Sequence, residues 1–239
     1  MFVLTIDQKG SRSGRDRVPD LLSLLGGLPM ELPFERSVGD EVQGLSADAG
    51  AVVEAALRAL RDGHWSVGIG IGEVETPLPA STREASGPAF VAARDAVERA
   101  KKTGDRPPVA VTGPAGAAEA EAVLVLLGRL IRDRTAEQWR ILEHVEPGTW
   151  GAQSAAARKL GISPQSVGKT IARAGWQEEW AARPAAAVLL ALANGQSGRP
   201  NGQSDGRPNG QSDGRPNGQS DGRPNGQSDG QSGGGEGRS

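Results

Sequence analysis

No cysteine occurs among the 239 residues of the sequence. The chain can therefore form neither a disulfide framework nor a thiolate zinc site. No stretch approaches the roughly 18 uncharged apolar residues that a membrane-spanning helix needs. The first residues, MFVLTIDQKGS, place an acid at Asp7 and lack the basic and then apolar layout of a signal peptide. Together these absences predict a cytoplasmic protein with no membrane partner.

The C-terminal segment contains no aliphatic or aromatic side chain. From Asn194 onward the sequence repeats the eight residues GRPNGQSD. Such a segment cannot bury enough apolar surface to offset the entropy lost on ordering, so we predict that residues 194–239 are disordered. The preceding part, about 193 residues, is long enough for one medium and one small domain, each with its own core.

Charge is distributed unevenly along the chain. Residues 1–128 contain 13 basic and 18 acidic residues, a net charge of −5, whereas residues 129–193 contain 9 basic and 6 acidic residues, a net charge of +3. An acidic first part and a mildly basic second part indicate different partners for the two. The basic excess is too small to establish nucleic-acid binding alone.

Residues 1–114 show the element order β-α-β-β-α-β-α-β. The second helix has a capping residue at Asp48 and a stop at Gly63, and a two-residue turn at Gly39-Asp40 joins two strands. The stretch WSVGIGIGEVET alternates glycine with apolar residues, which indicates a central strand that another element approaches closely. We predict the α+β class: a ferredoxin-like sandwich with its helices on one face of a mostly antiparallel sheet.

Two acidic residues fall where this topology brings neighbouring strands together. Asp7 ends the first strand and Asp40 lies in the hairpin turn. Two carboxylates a few ångströms apart suit Mg²⁺ ions that hold a triphosphate for attack at phosphorus. The structural alternative is that Asp7 caps a turn and Asp40 shapes the hairpin.

The same motifs resemble known proteins. The first strand, the GDE hairpin and the strand VGIGIGE resemble the nucleotidyl cyclase and GGDEF-type fold. More closely, IDQKGSR, GDEVQGL, GIGIGEVET and GPAFVAARDAVERAK resemble the SatD family of bacterial proteins, and the likeness covers most of residues 1–193. The resemblance implies metal-ligand positions at Asp7 and Asp40, with Glu41 following as in the GDE motif, and hence a pocket for Mg²⁺ and a nucleotide.

The sequence departs from the cyclase pattern at two points. Val38 stands at the position of the first glycine of GGDEF, and no Asn-Asp pair follows the first strand to recognise guanine. The resemblance therefore implies a nucleotide or metal pocket more strongly than turnover.

The spacing of apolar residues predicts a connecting helix over residues 115–134. Its apolar stripe packs on the sheet or pairs with a second copy of the chain in a homodimer, and we favour packing. The stripe consists of Val123, Leu126, Leu127, Leu130 and Ile131.

Residues 135–193 predict a tri-helical helix-turn-helix domain. Thr135 caps the first helix, Gly161 supplies the turn, and Ser163 caps a third helix that begins at Pro164. Pro184 indicates the start of a further helix. The predicted core residues are Ala156, Ile162, Val167 and Ile171, with a cluster of Trp139, Trp150, Trp176 and Trp180.

The outer face of the third helix carries side chains suited to base edges and phosphates in a major groove. These candidate DNA-binding residues are Gln165, Ser166, Lys169, Thr170 and Arg173. The alternative is a protein-interaction module or simple three-helix packing.

We therefore expect a SatD-like DNA-binding protein, a transcriptional regulator whose cyclase-like domain senses a nucleotide or metal. Two alternatives stay open at this point. One is a metal-dependent nucleotide-processing enzyme that its helix-turn-helix localises, and the other is a scaffold without activity.

Overall fold

The computed structural model describes residues 1–11 and 14–195, so the predicted disorder of residues 194–239 falls almost wholly outside the described residues. The strands are β1 (Phe2–Gln8), β2 (Leu32–Arg36), β3 (Glu41–Ser46), β4 (Trp65–Ile71) and β5 (Val109–Thr112). The helices are α1 (Val18–Leu25), α2 (Ala49–Asp62), α3 (Pro88–Ala100), α4 (Ala117–Arg132), α5 (Ala136–Leu142), α6 (Ala152–Leu160), α7 (Pro164–Arg173) and α8 (Trp176–Ala193).

The five strands form one mixed sheet in the order β2-β3-β1-β4-β5. β1 lies antiparallel to both β3 and β4, β2 is antiparallel to β3, and β5 runs parallel to β4. The α+β class and the predicted order of elements are confirmed. Across the described residues, no helix combines the length and apolar character that crossing a membrane demands.

Helices cover both faces of this sheet, so the predicted one-sided arrangement is wrong. Phe2, Leu4 and Ile6 of β1 point to one face, where they share a buried cluster with α1, α2, α4 and the end of α8. Val3 points to the other face and shares a cluster with Ala89 and Ala93 of α3. The physical reason is β5: a strand parallel to β4 needs a crossover connection, and α3 makes it across the free face.

The two glycines inside β4 allow α3 to lie directly on the strand backbone. A Cβ atom at Gly70 would stand 2.1 Å from the carbonyl oxygen of Ala89, and one at Gly68 would stand 2.3 Å from the amide nitrogen of Val97. Real Cβ atoms do not come so near to backbone atoms. The close approach predicted from the GIGIG pattern is therefore confirmed, and its partner is α3.

α4 packs on the sheet domain, as favoured from the sequence. Leu127 and Ile131 of the predicted stripe are buried, together with Ala120 and Leu124. Leu126, another member of the predicted stripe, is 66 % exposed, so the buried face of α4 differs slightly from the predicted one. The buried face of α4 includes small residues such as Gly128. At Gly128 the helix comes close to α2, and a Cβ atom there would lie 3.0 Å from the Leu60 side chain.

α8 runs unbroken from Trp176 to Ala193 with Pro184 inside it, so the prediction that Pro184 starts a new helix is wrong. A proline removes one backbone hydrogen bond from a helix. Here the second half of α8 stays helical because Ala186, Leu190 and Ala193 are buried in the main cluster beside α2 and α4. Tertiary burial of this kind commonly outweighs local propensity.

α5, α6 and α7 share a second, smaller core. Its buried residues are Ile141, Leu142, Val145, Ala156, Ala157, Val167, Ile171, Ala174 and Trp176. Ile162, which the sequence places in this core, is only partly buried against it. Trp139 and Trp180 flank Trp176 in edge-to-face contacts, with ring centroids 6.3 and 5.6 Å away. Trp150 is 99 % exposed, so its predicted place in the tryptophan cluster is wrong: the loop between α5 and α6 directs it away from the core.

A chain of buried and partly buried charges joins this smaller core to the sheet domain. Glu179 on α8 is wholly buried and forms salt bridges with Arg134 and Arg183. Arg183 also pairs with Glu54 on α2. Arg134 lies between α4 and α5, and its guanidinium donates to the carbonyl of Ala174 at the end of α7 over 2.9 Å. One guanidinium thus satisfies a helix terminus and a buried carboxylate together.

We predict that Gly70→Ala lowers the free energy of unfolding by about 2 kcal/mol or more, because its methyl group forces α3 away from β4. Gly26→Ala is the control, since its Cβ would come no nearer than 3.3 Å to another atom. Urea unfolding of both variants and the wild type measures the difference. Equal stability of the two variants would mean that α3 does not rest on the strand backbone.

We predict that Arg134→Met lowers the free energy of unfolding by about 3 kcal/mol, because it leaves buried Glu179 with one cation instead of two. Arg129→Met is the matched control: Arg129 pairs with Asp133 on the surface, where an ion pair contributes less than about 1 kcal/mol. Chemical denaturation compares the two variants. Similar losses in both would show that the buried pair contributes no more than the exposed one.

Candidate functional site

The predicted metal ligands meet at one end of the sheet, with a different pairing from the one expected. Asp7 at the end of β1 lies directly opposite Glu41, the first residue of β3. Asp40 precedes Glu41 in the turn that joins β2 to β3 and is partly buried. The cross-strand partner of Asp7 is therefore Glu41, because β3 begins one residue after the predicted hairpin acid.

Each of the two paired acids already has a cation from the α3 side of the sheet. Lys101, at the end of α3, places its Nζ atom 2.9 Å from the Oδ2 atom of Asp7. Arg94, two turns earlier, places Nη2 2.9 Å from the Oε1 atom of Glu41. The Ser37 hydroxyl donates to the same oxygen over 2.6 Å. Among the described residues, no group of three or more His, Cys, Asp or Glu side chains is arranged to hold a metal ion.

The electrostatics of Asp7 reflect its position. Burial raises the pKa of the Asp7 carboxyl, Lys101 opposes that rise, and the neighbouring Asp40 and Glu41 charges add to it. The net result is a pKa raised above the ordinary value of an aspartate. Burial and the two neighbouring acids thus outweigh the ion pair, and the Asp7 carboxylate carries an unfavourable energy in the folded protein.

The candidate DNA-binding residues lie on α7, and most of them face solvent. Gln165, Ser166, Lys169 and Arg173 are exposed. Thr170 is partly buried, and its hydroxyl donates back to the carbonyl of Ser166 over 3.1 Å. The hydroxyl of Thr170 is thus engaged within the helix, and that of Ser166 lies 3.0 Å from the Ser163 hydroxyl, while the long side chains of Gln165, Lys169 and Arg173 are exposed.

Local sequence signals position this helix. Gly161 ends α6 in the left-handed region at φ 66°, and α7 begins three residues later. The Ser163 side chain accepts a hydrogen bond from the amide of Ser166, and Pro164 occupies the first turn. Val167 and Ile171 fix the inner face of α7 in the smaller core. The predicted caps at Ser163 and Thr135 are both confirmed.

Two further basic residues are exposed at the end of α6 that leads into α7, and neither was predicted from the sequence as a DNA-binding residue. Arg158 and Lys159 are exposed in the last turn of α6, just before the turn that leads into α7. Within the described part of the chain, neither forms a salt bridge. Their adjacency in AAARKLG is the sequence signal that could have identified them.

The comparisons with models of protein families, with curated proteins and with solved structures gave no significant match to this chain. The resemblance to the SatD family and to nucleotidyl cyclases therefore stays a prediction.

We predict that Asp7→Asn keeps or raises the stability of the protein at neutral pH. Because the folded state raises the pKa of Asp7, the carboxyl's contribution to stability is greatest below the ordinary aspartate pKa and is lost as the pH rises through the raised value. Asp7→Asn has no carboxyl to ionise, so it does not lose this stability as the pH rises. Its advantage over the wild type should therefore grow between about pH 3 and about pH 7 in thermal melting curves.

Asp95→Asn is the control for this experiment, because Asp95 is exposed on α3. It should show no comparable growth with pH. A loss of more than about 2 kcal/mol in Asp7→Asn would contradict the prediction and would identify Asp7 as a required hydrogen-bond acceptor.

Proposed function

We propose that the protein binds DNA through α6 and α7, which act as a helix-turn-helix, and that it is a SatD-like transcriptional regulator. The observation that carries this proposal is a stripe on α7. Gln165, Lys169 and Arg173 follow one another at four-residue intervals, so they lie on one side of the helix. All three are exposed, and in the described residues neither Lys169 nor Arg173 has a carboxylate partner.

The stripe matches what groove recognition requires. A recognition helix presents polar side chains to base edges from its N-terminal part and cations to the phosphates on either side. Gln165 and Ser166 lie in the first turn of α7, and Lys169 and Arg173 follow them. Arg158 and Lys159 add two exposed cations at the end of α6 that leads into α7.

The packing of α7 on the smaller core favours a DNA-recognition helix over a loosely held surface helix. Its inner face is buried through Val167 and Ile171, and Arg134 holds the carbonyl of Ala174 at its C-terminal end. A recognition helix that is fixed at both ends loses little conformational freedom when it binds, which favours affinity.

The sheet domain is the second part of this proposal. The order of its first four strands, β2-β3-β1-β4, supports the ferredoxin-like arrangement expected from the sequence. The alternative function, metal-dependent nucleotide processing, would require Mg²⁺ to displace Lys101 from Asp7 and Arg94 from Glu41. No contact in the described residues favours that exchange, so DNA binding is the function we put forward.

We predict that Lys169→Gln and Arg173→Gln each weaken binding to a DNA duplex, by about tenfold at low salt, because each removes a cation that pairs with a phosphate. The slope of log affinity against log salt concentration should fall by about 1 for each phosphate that the variant no longer neutralises. Fluorescence anisotropy at several salt concentrations measures both quantities.

Arg83→Gln is the matched control for the DNA experiment. Arg83 is exposed in the short 3₁₀ helix Thr82–Glu84, outside α6 and α7. Its variant should bind DNA as the wild type does. Unchanged affinity in both α7 variants, or an equal loss in the control, would contradict the proposed function and favour a protein-interaction module.

A further inference from the structure

A cleft of about 440 Å³ opens beside the end of β1 where Asp7 lies. Its walls come from elements that are distant in sequence: the end of β1 and the turn after it, the start of β4, the loop between α3 and β5, and the end of α4. Two glycines at its rim, Gly10 and Gly104, adopt the left-handed conformation at φ 67° and 59°. A Cβ atom at either would meet nothing within 4 Å, so the rim is open.

The walls of this cleft are strongly basic. They carry four cations, Lys9, Lys101, Arg106 and Arg132, and a single acid, Asp7. A concave surface with such an excess of one sign of charge concentrates counter-ions of the opposite sign.

Two of the four cations are already paired with carboxylates. Lys101 contacts Asp7 and also Glu98, the latter over 2.8 Å. Arg106 contacts Glu121 over 2.8 Å. These two side chains help to shape the wall, but most of their charge is compensated within the protein.

The other two cations have no such compensation. Lys9 donates to the backbone carbonyl of Gly63 over 3.2 Å, and Arg132 donates to the backbone carbonyl of Asp105 over the same distance. In residues 1–11 and 14–195, neither side chain lies within salt-bridge distance of a carboxylate. Burial lowers the pKa of Lys9, and the positive charge of Arg132 lowers it further. The fold thus holds two like charges near each other, both on exposed side chains that line the cleft.

We propose that this cleft binds a small anion that carries a phosphate group, with Lys9 and Arg132 as its two main ligands. An anion between them removes their mutual repulsion and supplies the missing counter-charge. A guanidinium matches two phosphate oxygens with parallel hydrogen bonds, and an ammonium adds a compact charge beside it. The volume suffices for a small phosphorylated molecule, and the concave shape suits a small molecule better than a DNA backbone.

This inference is independent of DNA binding by α7, because it uses none of the residues of α6 or α7. It also differs from a metal site at Asp7. The charges that converge on the cleft call for an anion, and Asp7 serves there as the partner that positions Lys101.

The test measures the binding of inorganic phosphate and of pyrophosphate to the full chain by isothermal titration calorimetry at low salt. We expect the wild type to bind pyrophosphate more tightly than phosphate, because its greater charge spans both cations. Lys9→Gln and Arg132→Gln should each raise the Kd for pyrophosphate about tenfold. Arg83→Gln, with its exposed cation outside the cleft, should leave the Kd unchanged.

A second measurement guards against variants that fail for structural reasons. Without any phosphate compound, Lys9→Gln should melt at the same temperature as the wild type or higher, because it removes a repelled charge. Absence of pyrophosphate binding in the wild type, an equal loss of binding in Arg83→Gln, or a lower melting temperature of Lys9→Gln would each overturn the proposal.

A third measurement, of DNA affinity, distinguishes the small-molecule site from the DNA surface. We expect Lys9→Gln and Arg132→Gln to bind a DNA duplex as tightly as the wild type does. A parallel loss of DNA affinity would assign the cleft to the DNA surface and overturn the proposal. Conversely, pyrophosphate binding that depends on Lys9 and Arg132 would stand even if the α7 variants showed no effect on DNA.

Discussion

Burial of the Glu179 carboxylate is the constraint on which the arrangement of the two cores depends. A wholly buried carboxylate is stable only when its charge is matched, and here Arg134 and Arg183 match it from two sides. Arg134 brings the end of α7 to the pair, and Arg183 brings α2 through Glu54. The guanidinium of Arg134 also lies near the rings of Trp139 and Trp176, at 4.8 and 5.2 Å from their centroids. Charge, hydrogen bonds and aromatic contacts therefore converge on this pair and help to fix the helical part on the sheet domain.

The two candidate sites differ in their electrostatic character. On α7, cations extend into solvent without partners among the described residues, an arrangement suited to a long polyanion such as DNA. In the cleft beside β1, Lys9 and Arg132 converge in a concave space, an arrangement suited to a small anion. The acids predicted as metal ligands have a third character, because Asp7 and Glu41 are neutralised by Lys101 and Arg94 of the same domain.

Local signals in the sequence were sufficient for most of the fold. The cap at Asp48, the stop at Gly63 and the cap at Thr135 depend on neighbours within a few residues, and all three are present in the structure. Features set by distant contacts were not predictable. Pro184 stays inside α8 because of packing on α2 and α4, and α3 covers the second face because of β5. Lys9 and Arg132 meet only after folding, so no local pattern could reveal the cleft.

The glycines of β4 have an electrostatic consequence as well as a steric one. Because Gly68 and Gly70 have no side chains, the backbone of α3 lies closer to β4 than a Cβ atom at either position would allow. This short distance is what lets Arg94 reach Glu41 and lets Lys101 reach Asp7. A larger residue in β4 would thicken the layer between helix and strand and draw both cations away from their acids. The distance between α3 and β4 thus determines whether the two acids at the end of the sheet are paired with cations.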